Sequence, residues 1–253
     1  MAAPPLAAAD FASVLAPQQL EEAWLHVVER DERDGTVSPS VRRFAEDPSS
    51  GLAQLHTELM EDRYRPRPLS PLKIPKEDGS TRELRIPAAR DRVVERALTV
   101  WLTPRLDPWM SPASFGYRPG LGPTDAVRRV VWWREMGFDW AVRVDVDDCF
   151  PTIDRQRVLA RLERHLDDLR LRHLIQQLIE RPVRRDGSVR PTAMGLAQGG
   201  SLSPLLANLA LTPFDRRLAR RGVVHVRFAD DTGAAFGAGW ACRPGRPGRL
   251  GRV

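Results

Sequence analysis

The chain has 253 residues, a formal net charge of +6, 42% hydrophobic and 28% charged residues. It has enough apolar content for a packed core, and no apolar run reaches membrane-spanning length. Its only cysteines, Cys149 and Cys242, are too few for a disulfide framework or a cysteine zinc site.

The positive surplus points toward an anionic partner, but Arg243, Arg246, Arg249 and Arg252 in the acid-free tail after Gly237 account for much of it. Nucleic-acid binding therefore has to be argued from local patches. The Ala/Pro-rich start has no basic n-region and is not read as a signal peptide, so the reducing cytoplasm is the expected compartment. Lysine occurs only at Lys73 and Lys76, in one short stretch of an otherwise arginine-based chain.

In chain order, residues 18–30 have helical periodicity, with Leu20, Trp24, Val27 and Val28 on one face. Short helices are expected at 40–46 and 51–62, the second capped by Ser49 or Ser50. The prolines of RYRPRPLSP (63–71) exclude a helix there. Residues 72–87 read as a β-hairpin turning at Glu77-Asp78-Gly79-Ser80. A helix follows at about 90–106, then the loop SFGYRPG, then a helix capped by Thr124 and running to Met136. In WAVRVDVDDCF (140–150), Val142, Val144 and Val146 alternate with Arg143, Asp145 and Asp147, the period-2 pattern of a strand. A long amphipathic helix is expected over 155–181, and a hairpin at 183–192 turning at Asp186-Gly187. GLAQGGSLSP leads into a helix at about 203–220, where Ser203 and Pro204 read as its start. A strand at 223–228 ends beside Asp230 and Asp231.

Aspartate is a poor strand residue, and an unpaired buried carboxylate is costly. Taken singly, aspartates at strand ends are turn or cap residues. If the two strands are neighbours in one antiparallel sheet, however, Asp145 meets Asp230 and Asp231. Hard divalent cations take oxygen ligands, and two such ions roughly 3.5–4 Å apart can activate a 3′-hydroxyl and stabilise a leaving pyrophosphate.

The order of motifs goes further. VRVDVDDCFPTID, GLAQGGSLSPLLANLAL and VRFADD follow one another, preceded by LKIPKEDGSTRELRIPAARDRVVERAL and SFGYRPG. This series resembles the reverse transcriptase family, in particular its bacterial group II intron-like lineage. The matching segments run from about Tyr64 to Asp231, with Phe228 where the family's turn has tyrosine.

The resemblance implies an α/β (α+β) right-hand polymerase, with fingers and an antiparallel palm sheet backed by helices. It divides the chain into an N-terminal helical extension (1–62), fingers (63–139, with part interleaving at 155–200), palm (140–236) and an Arg/Gly/Pro tail (237–253). It also implies two Mg²⁺ ions, with Mn²⁺ a substitute, held by Asp145, Asp230, Asp231 and the Val146 carbonyl. Phe150 would sit under the incoming sugar and favour dNTP over rNTP. Lys76 and Arg82 would grip the triphosphate, as a point charge and a forked guanidinium suit that task. Gln198, Gly199 and Gly200 would let backbone approach the nucleotide. Arg63, Arg65 and Arg67 are candidate contacts to template phosphates. Arg170, Arg172, Arg216, Arg217, Arg220 and Arg221 read as solvated helix faces.

The implied partners are an RNA template, a DNA or RNA primer and dNTPs. Within the lineage the motifs look most like CRISPR-associated reverse transcriptases, whose partners are integrase proteins of spacer acquisition. Group II intron, retron and phage-defence enzymes remain alternatives. The tail lacks apolar periodicity and is expected to be disordered, with the family's helical thumb missing. That leaves a second reading, a non-catalytic remnant or nucleic-acid-binding subunit with a palm fold. An unrelated Mg²⁺ phosphohydrolase would account for the aspartates but not for the Gln-Gly…Ser-Pro helix or the IPK…DG…R hairpin.

Overall fold

The computed structural model describes residues 10–35, 37–75, 79, 81–192 and 194–237. The chain's start, Lys76 and most of the tail therefore lie outside the described residues. In order, the elements are α1 (Phe11–Val14), α2 (Pro17–Arg33), α3 (Pro39–Phe44), α4 (Pro48–Met60), β1 (Ser70–Pro75), β2 (Thr81–Ile86) and α5 (Ala89–Leu106). A 3₁₀ turn at Asp107–Trp109 precedes α6 (Pro123–Glu135), β3 (Trp140–Asp145), α7 (Cys149–Thr152), α8 (Arg155–Leu162) and α9 (Leu169–Glu180). The last elements are β4 (Val183–Arg185), β5 (Ser188–Arg190), α10 (Leu202–Arg220), β6 (Val224–Phe228) and β7 (Asp231–Phe236). None of the described helices is long and apolar enough to cross a membrane.

Two compact units divide the chain. The first holds residues 1–110 and 148–211, the second 111–147 and 212–253.

The core of the first unit is helical. Leu20, Ala23, Trp24 and Val27 of α2 are buried, as are Val93, Val94, Ala97, Leu98 and Leu102 of α5, and the two helices pack together. The Trp24 and Phe44 rings lie 4.8 Å apart at 49°. Each of these leucine and valine side chains stabilises by about 1.5–3 kcal/mol when fully buried. At the start of α5 the Tyr64 hydroxyl donates to Asp91 Oδ1 at 2.7 Å, and the Arg67 amide donates to Asp91 Oδ2 at 2.9 Å. Arg181 pairs with Glu95 alongside. Burial pushes both the Tyr64 phenol and the Asp91 carboxyl above their ordinary values.

Both expected hairpins form, although Glu77, Asp78 and Ser80 of the first turn lie outside the described residues. β1 and β2 pair antiparallel, Ser70 opposite Ile86 and Pro75 opposite Thr81. β4 and β5 close on Asp186 (φ 49°) and Gly187 (φ 74°), two successive positive φ values that define a type I′ turn. The Leu69 amide donates to Pro182 O and the Arg184 amide to Leu69 O, which joins the two hairpins.

Several helix boundaries differ from expectation. Asp47, not Ser49 or Ser50, caps α4, accepting from the Ser50 amide at 3.1 Å. Gly122, not Thr124, precedes α6, and its amide donates to Asp125 Oδ2 at 2.9 Å. In both cases proline occupies the first helical turn, where its missing N–H is no loss, and the cap falls just before it. The single helix expected over 155–181 is two, α8 and α9, because Asp168 takes an extended conformation and accepts from the Leu171 amide at 3.0 Å. Arg170 is also more than a solvated side chain. It donates to the Leu59 and Met60 carbonyls at 3.2 and 3.0 Å, and its guanidinium stacks 4.0 Å from the Phe11 ring centroid.

The second unit is built on an antiparallel sheet in the order β3-β7-β6. On one face Val226 and Ala235 pack with Phe115, Ala126 and Trp133, so α6 and the loop before it cover that face at β6. α10 begins in the first unit and ends in the second, where Asp215 is fully buried.

Candidate active site

The register of the three-stranded sheet decides which carboxylates meet. Asp145, the last residue of β3, is directly opposite Asp231, the first of β7, and Asp231 is in turn opposite Phe228. Residues directly opposite point to the same face. Asp230 lies between in the β6–β7 turn and is half-buried. Of the two loop residues only Ala229 has positive φ (60°), the arrangement of a type II′ turn. Asp145 is exposed, and Val146 beside it is half-buried.

Arg143 stands two residues before Asp145 on the same face and reaches across to Asp231. Its Nε donates to Oδ1 at 2.9 Å, and its Nη2 to Oδ1 and Oδ2 at 2.8 and 3.0 Å. The residue opposite Arg143 is Gly233, so no side chain blocks that reach. Hydrogen bonding to Asp231, then its charge, holds Arg143 more firmly in the charged form.

Among the described residues no group of three or more His, Cys, Asp or Glu side chains is arranged to hold a metal ion. The donors nonetheless suit Mg²⁺, which binds through one or two carboxylates and takes its remaining oxygens from water and substrate phosphates.

The turn is held by the SFGYRPG loop and by buried side chains that no local sequence pattern marks. The Arg227 amide donates to Ala113 O at 2.7 Å, and the Phe115 amide donates to Arg227 O at 2.8 Å, so the SFGYRPG loop pairs with β6. Arg118 ties that loop to itself through the Ser111 and Ser114 carbonyls, both at 2.8 Å. A Cβ at Gly116 would lie 2.5 Å from the Ala229 amide nitrogen, which explains glycine there. Arg227 itself is fully buried against Asp215. An arginine alternating with valines on a strand reads as solvent-facing, and its partner is distant in sequence.

The other expected site residues lie in the first unit. Phe150 is buried in α7, just after Asp148, which has φ 45°. The Leu196 amide donates to Phe150 O at 2.7 Å, linking Phe150 to the glycine-rich segment. Gln198 O accepts from the Arg85 amide at 2.8 Å. At Gly199 (φ 130°) a Cβ would meet Ile86 Cδ1 at 2.8 Å and Arg85 O at 3.1 Å. Gln198 and Gly199 thus dock on β2, the strand that carries exposed Arg82 opposite Ile74. Arg63, Arg65 and Arg67 are exposed; Arg63 pairs with Glu61, and Arg65 donates to the Asp62 and Tyr64 carbonyls.

Comparison with known proteins assigns the chain to a family. The family model described as reverse transcriptase (RNA-dependent DNA polymerase) matches residues 74–236, and the chain belongs to that family. It is 32% identical over 174 residues to "Protein YkfC" of Escherichia coli, which covers 67% of this chain and 46% of that protein. It is 27% identical over 184 residues to "Group II intron-encoded protein LtrA" of Lactococcus lactis, covering 72% of this chain and 30% of that one. The chain therefore spans less than half the length of these relatives. A chain of the structure titled "Partial Cas6-RT-Cas1--Cas2 complex" superposes with a TM-score of 0.58 at 26% identity, over 89% of this chain and 38% of that one.

Proposed function

We propose that the chain is an RNA-directed DNA polymerase that adds dNTPs to the 3′ end of a DNA or RNA primer on an RNA template. The observation that carries this reading is the directly opposed pair Asp145 and Asp231 beside a hairpin turn, in a chain of the reverse transcriptase family. Asp145, Asp230 and Asp231, with the Val146 carbonyl, would hold two Mg²⁺ ions, or Mn²⁺ in their place. When bound, these ions would activate the attacking 3′-hydroxyl and stabilise the leaving pyrophosphate.

The chain's own residues position and neutralise. Asp145 and Asp231 present oxygen donors on one sheet face. Lys76 and Arg82 would neutralise the triphosphate, Arg82 as a fork and Lys76 as a point charge. Phe150, held by its packing, would close the space below the sugar and reject a 2′-hydroxyl. Gln198 and Gly199 would allow backbone to approach the nucleotide without a Cβ in the way. Arg63, Arg65 and Arg67 would follow template phosphates. In this reading β3, β6 and β7 are palm, the β1–β2 hairpin belongs to the fingers, and residues 1–62 are a helical extension.

The likeness to a chain of a Cas6-RT-Cas1--Cas2 complex supports CRISPR integrase proteins as partners, with spacer acquisition and antiviral defence as the setting. The likeness to a group II intron-encoded protein supports intron mobility as the alternative within the family. A second reading, a nucleic-acid-binding subunit without catalysis, is favoured by one observation: Arg143 forks onto Asp231, a carboxylate that catalysis would need for metal.

The test is extension of a labelled primer on an RNA template by the purified chain with dNTPs and Mg²⁺. Extension that stops on adding chelator supports the polymerase. Retained RNA binding with no extension supports the second reading.

A further inference from the structure

Among the described residues Arg227 is the largest fully buried side chain, and nothing in the proposed chemistry uses it. It stands on the face of β6 opposite to Val226, where Asp215 of α10 meets it. Nε donates to Asp215 Oδ1 and Oδ2 at 2.9 and 3.2 Å, and Nη2 donates to Oδ2 at 2.9 Å. His225 lies on the same face, its Nε2 3.7 Å from the same carboxylate. One arm of the guanidinium is turned elsewhere: Nη1 donates to the Ala229 carbonyl at 2.7 Å.

Ala229 is the residue that needs help. It occupies the left-handed region, where a type II′ turn ordinarily has glycine, and its peptide leads directly into Asp230. A non-glycine residue there is disfavoured. A charge-assisted hydrogen bond to its carbonyl, inside a low-dielectric site, is strong enough to offset that. Asp215 in turn fixes the plane of the guanidinium, because a bidentate carboxylate leaves it one orientation. Gly116 also closes on the turn, against the Ala229 amide.

The geometry points to Arg227 as a positioning residue that, oriented by Asp215, clamps the Ala229 carbonyl and thereby sets where Asp230 and Asp231 stand. This rests on the polymerase reading for its catalytic consequence but not for its structural one. A simple ion-pair staple would need only the Asp215 contacts. The third arm, aimed at the turn that carries the aspartates, is what assigns the further role.

The test uses two variants of the full chain. Arg227→Lys keeps a buried cation for Asp215 but cannot reach both partners at once. Asp215→Leu/Arg227→Met replaces both charges by apolar groups, an exchange that buried ion pairs often tolerate in stability. Hydrogen exchange is followed at the amides of 229–232 and, as reference, along α10 and at Val226. Primer extension gives kcat and the KM for dNTP.

In either folded variant the turn amides are expected to exchange about tenfold faster while the reference amides do not change, the effect of losing one charged hydrogen bond. Extension is expected to lose kcat with KM for dNTP held. Parent-like exchange at the turn in a folded variant overturns the inference. So does acceleration spread evenly over the reference amides, which would make the pair a fold staple only. If the parent itself does not extend primers while the turn responds as expected, the polymerase reading fails and the clamp stands.

Discussion

Asp145 and Asp231 meet because two strands run antiparallel in one register, with Arg143 opposite Gly233 and Trp140 opposite Phe236. A slip of one residue would send Asp231 to the other face. The pair was legible in the sequence, since period-2 alternation placed Asp145 at a strand end and two adjacent acids after a strand imply a turn. The support of the turn was not legible. Arg227 and Asp215 meet only through the packing of α10 on the sheet, and Gly116 is required by an approach of backbone that no local pattern announces. Gly116→Ala is therefore a sharp probe. Its Cβ would press on the Ala229 backbone, which cannot swing aside as a side chain could. The substitution is expected to lower unfolding free energy by about 1–3 kcal/mol, read by urea denaturation, and to reduce primer extension.

The elements follow their local signals more closely than their ends do. Both short hairpins of the first unit pair as expected, and the second turns at Asp186-Gly187. Helix starts depart from the serine and threonine signals where proline follows the true cap, as at Asp47-Pro48 and Gly122-Pro123. The α8–α9 break was invisible because the apolar spacing runs through it; Leu166, buried between the helices, continues the pattern of Leu162. Between α4 and α5, Glu58 pairs with Arg90, and that hydrogen bond chiefly holds the Glu58 carboxyl below its ordinary value. A depressed carboxylate adds stability above the unfolded-state value and loses it as pH falls through the folded one. Glu58→Gln is expected to remove that part of the acid sensitivity. Thermal midpoints of parent and variant should converge as pH is lowered from about 6 to about 3; a constant difference across that window would contradict the assignment.

On the scale of the whole molecule, net charge was a poor guide, since several basic residues belong to the tail. The ordered series of motifs was a good one, and the family model spans the same stretch from the β1–β2 hairpin to β7. Exposed Arg63, Arg65 and Arg67 give the basic patch a definite test. Replacing all three by alanine is expected to weaken RNA binding without regard to sequence. It should also flatten the dependence of log affinity on log salt by up to about two units, at roughly 0.7 per phosphate contact on a single strand. An unchanged slope would remove these arginines from the template path.

In the proposed function the carboxylates beside the β6–β7 turn are a metal-dependent polymerase site. The most direct measurement compares Mg²⁺-dependent dNTP incorporation on a primed RNA template by the parent chain and by Asp230→Ala, both shown to be folded by circular dichroism. Incorporation is expected from the parent and its loss, by about a thousandfold or more, in the variant. Incorporation that persists in Asp230→Ala at the parent rate would contradict it.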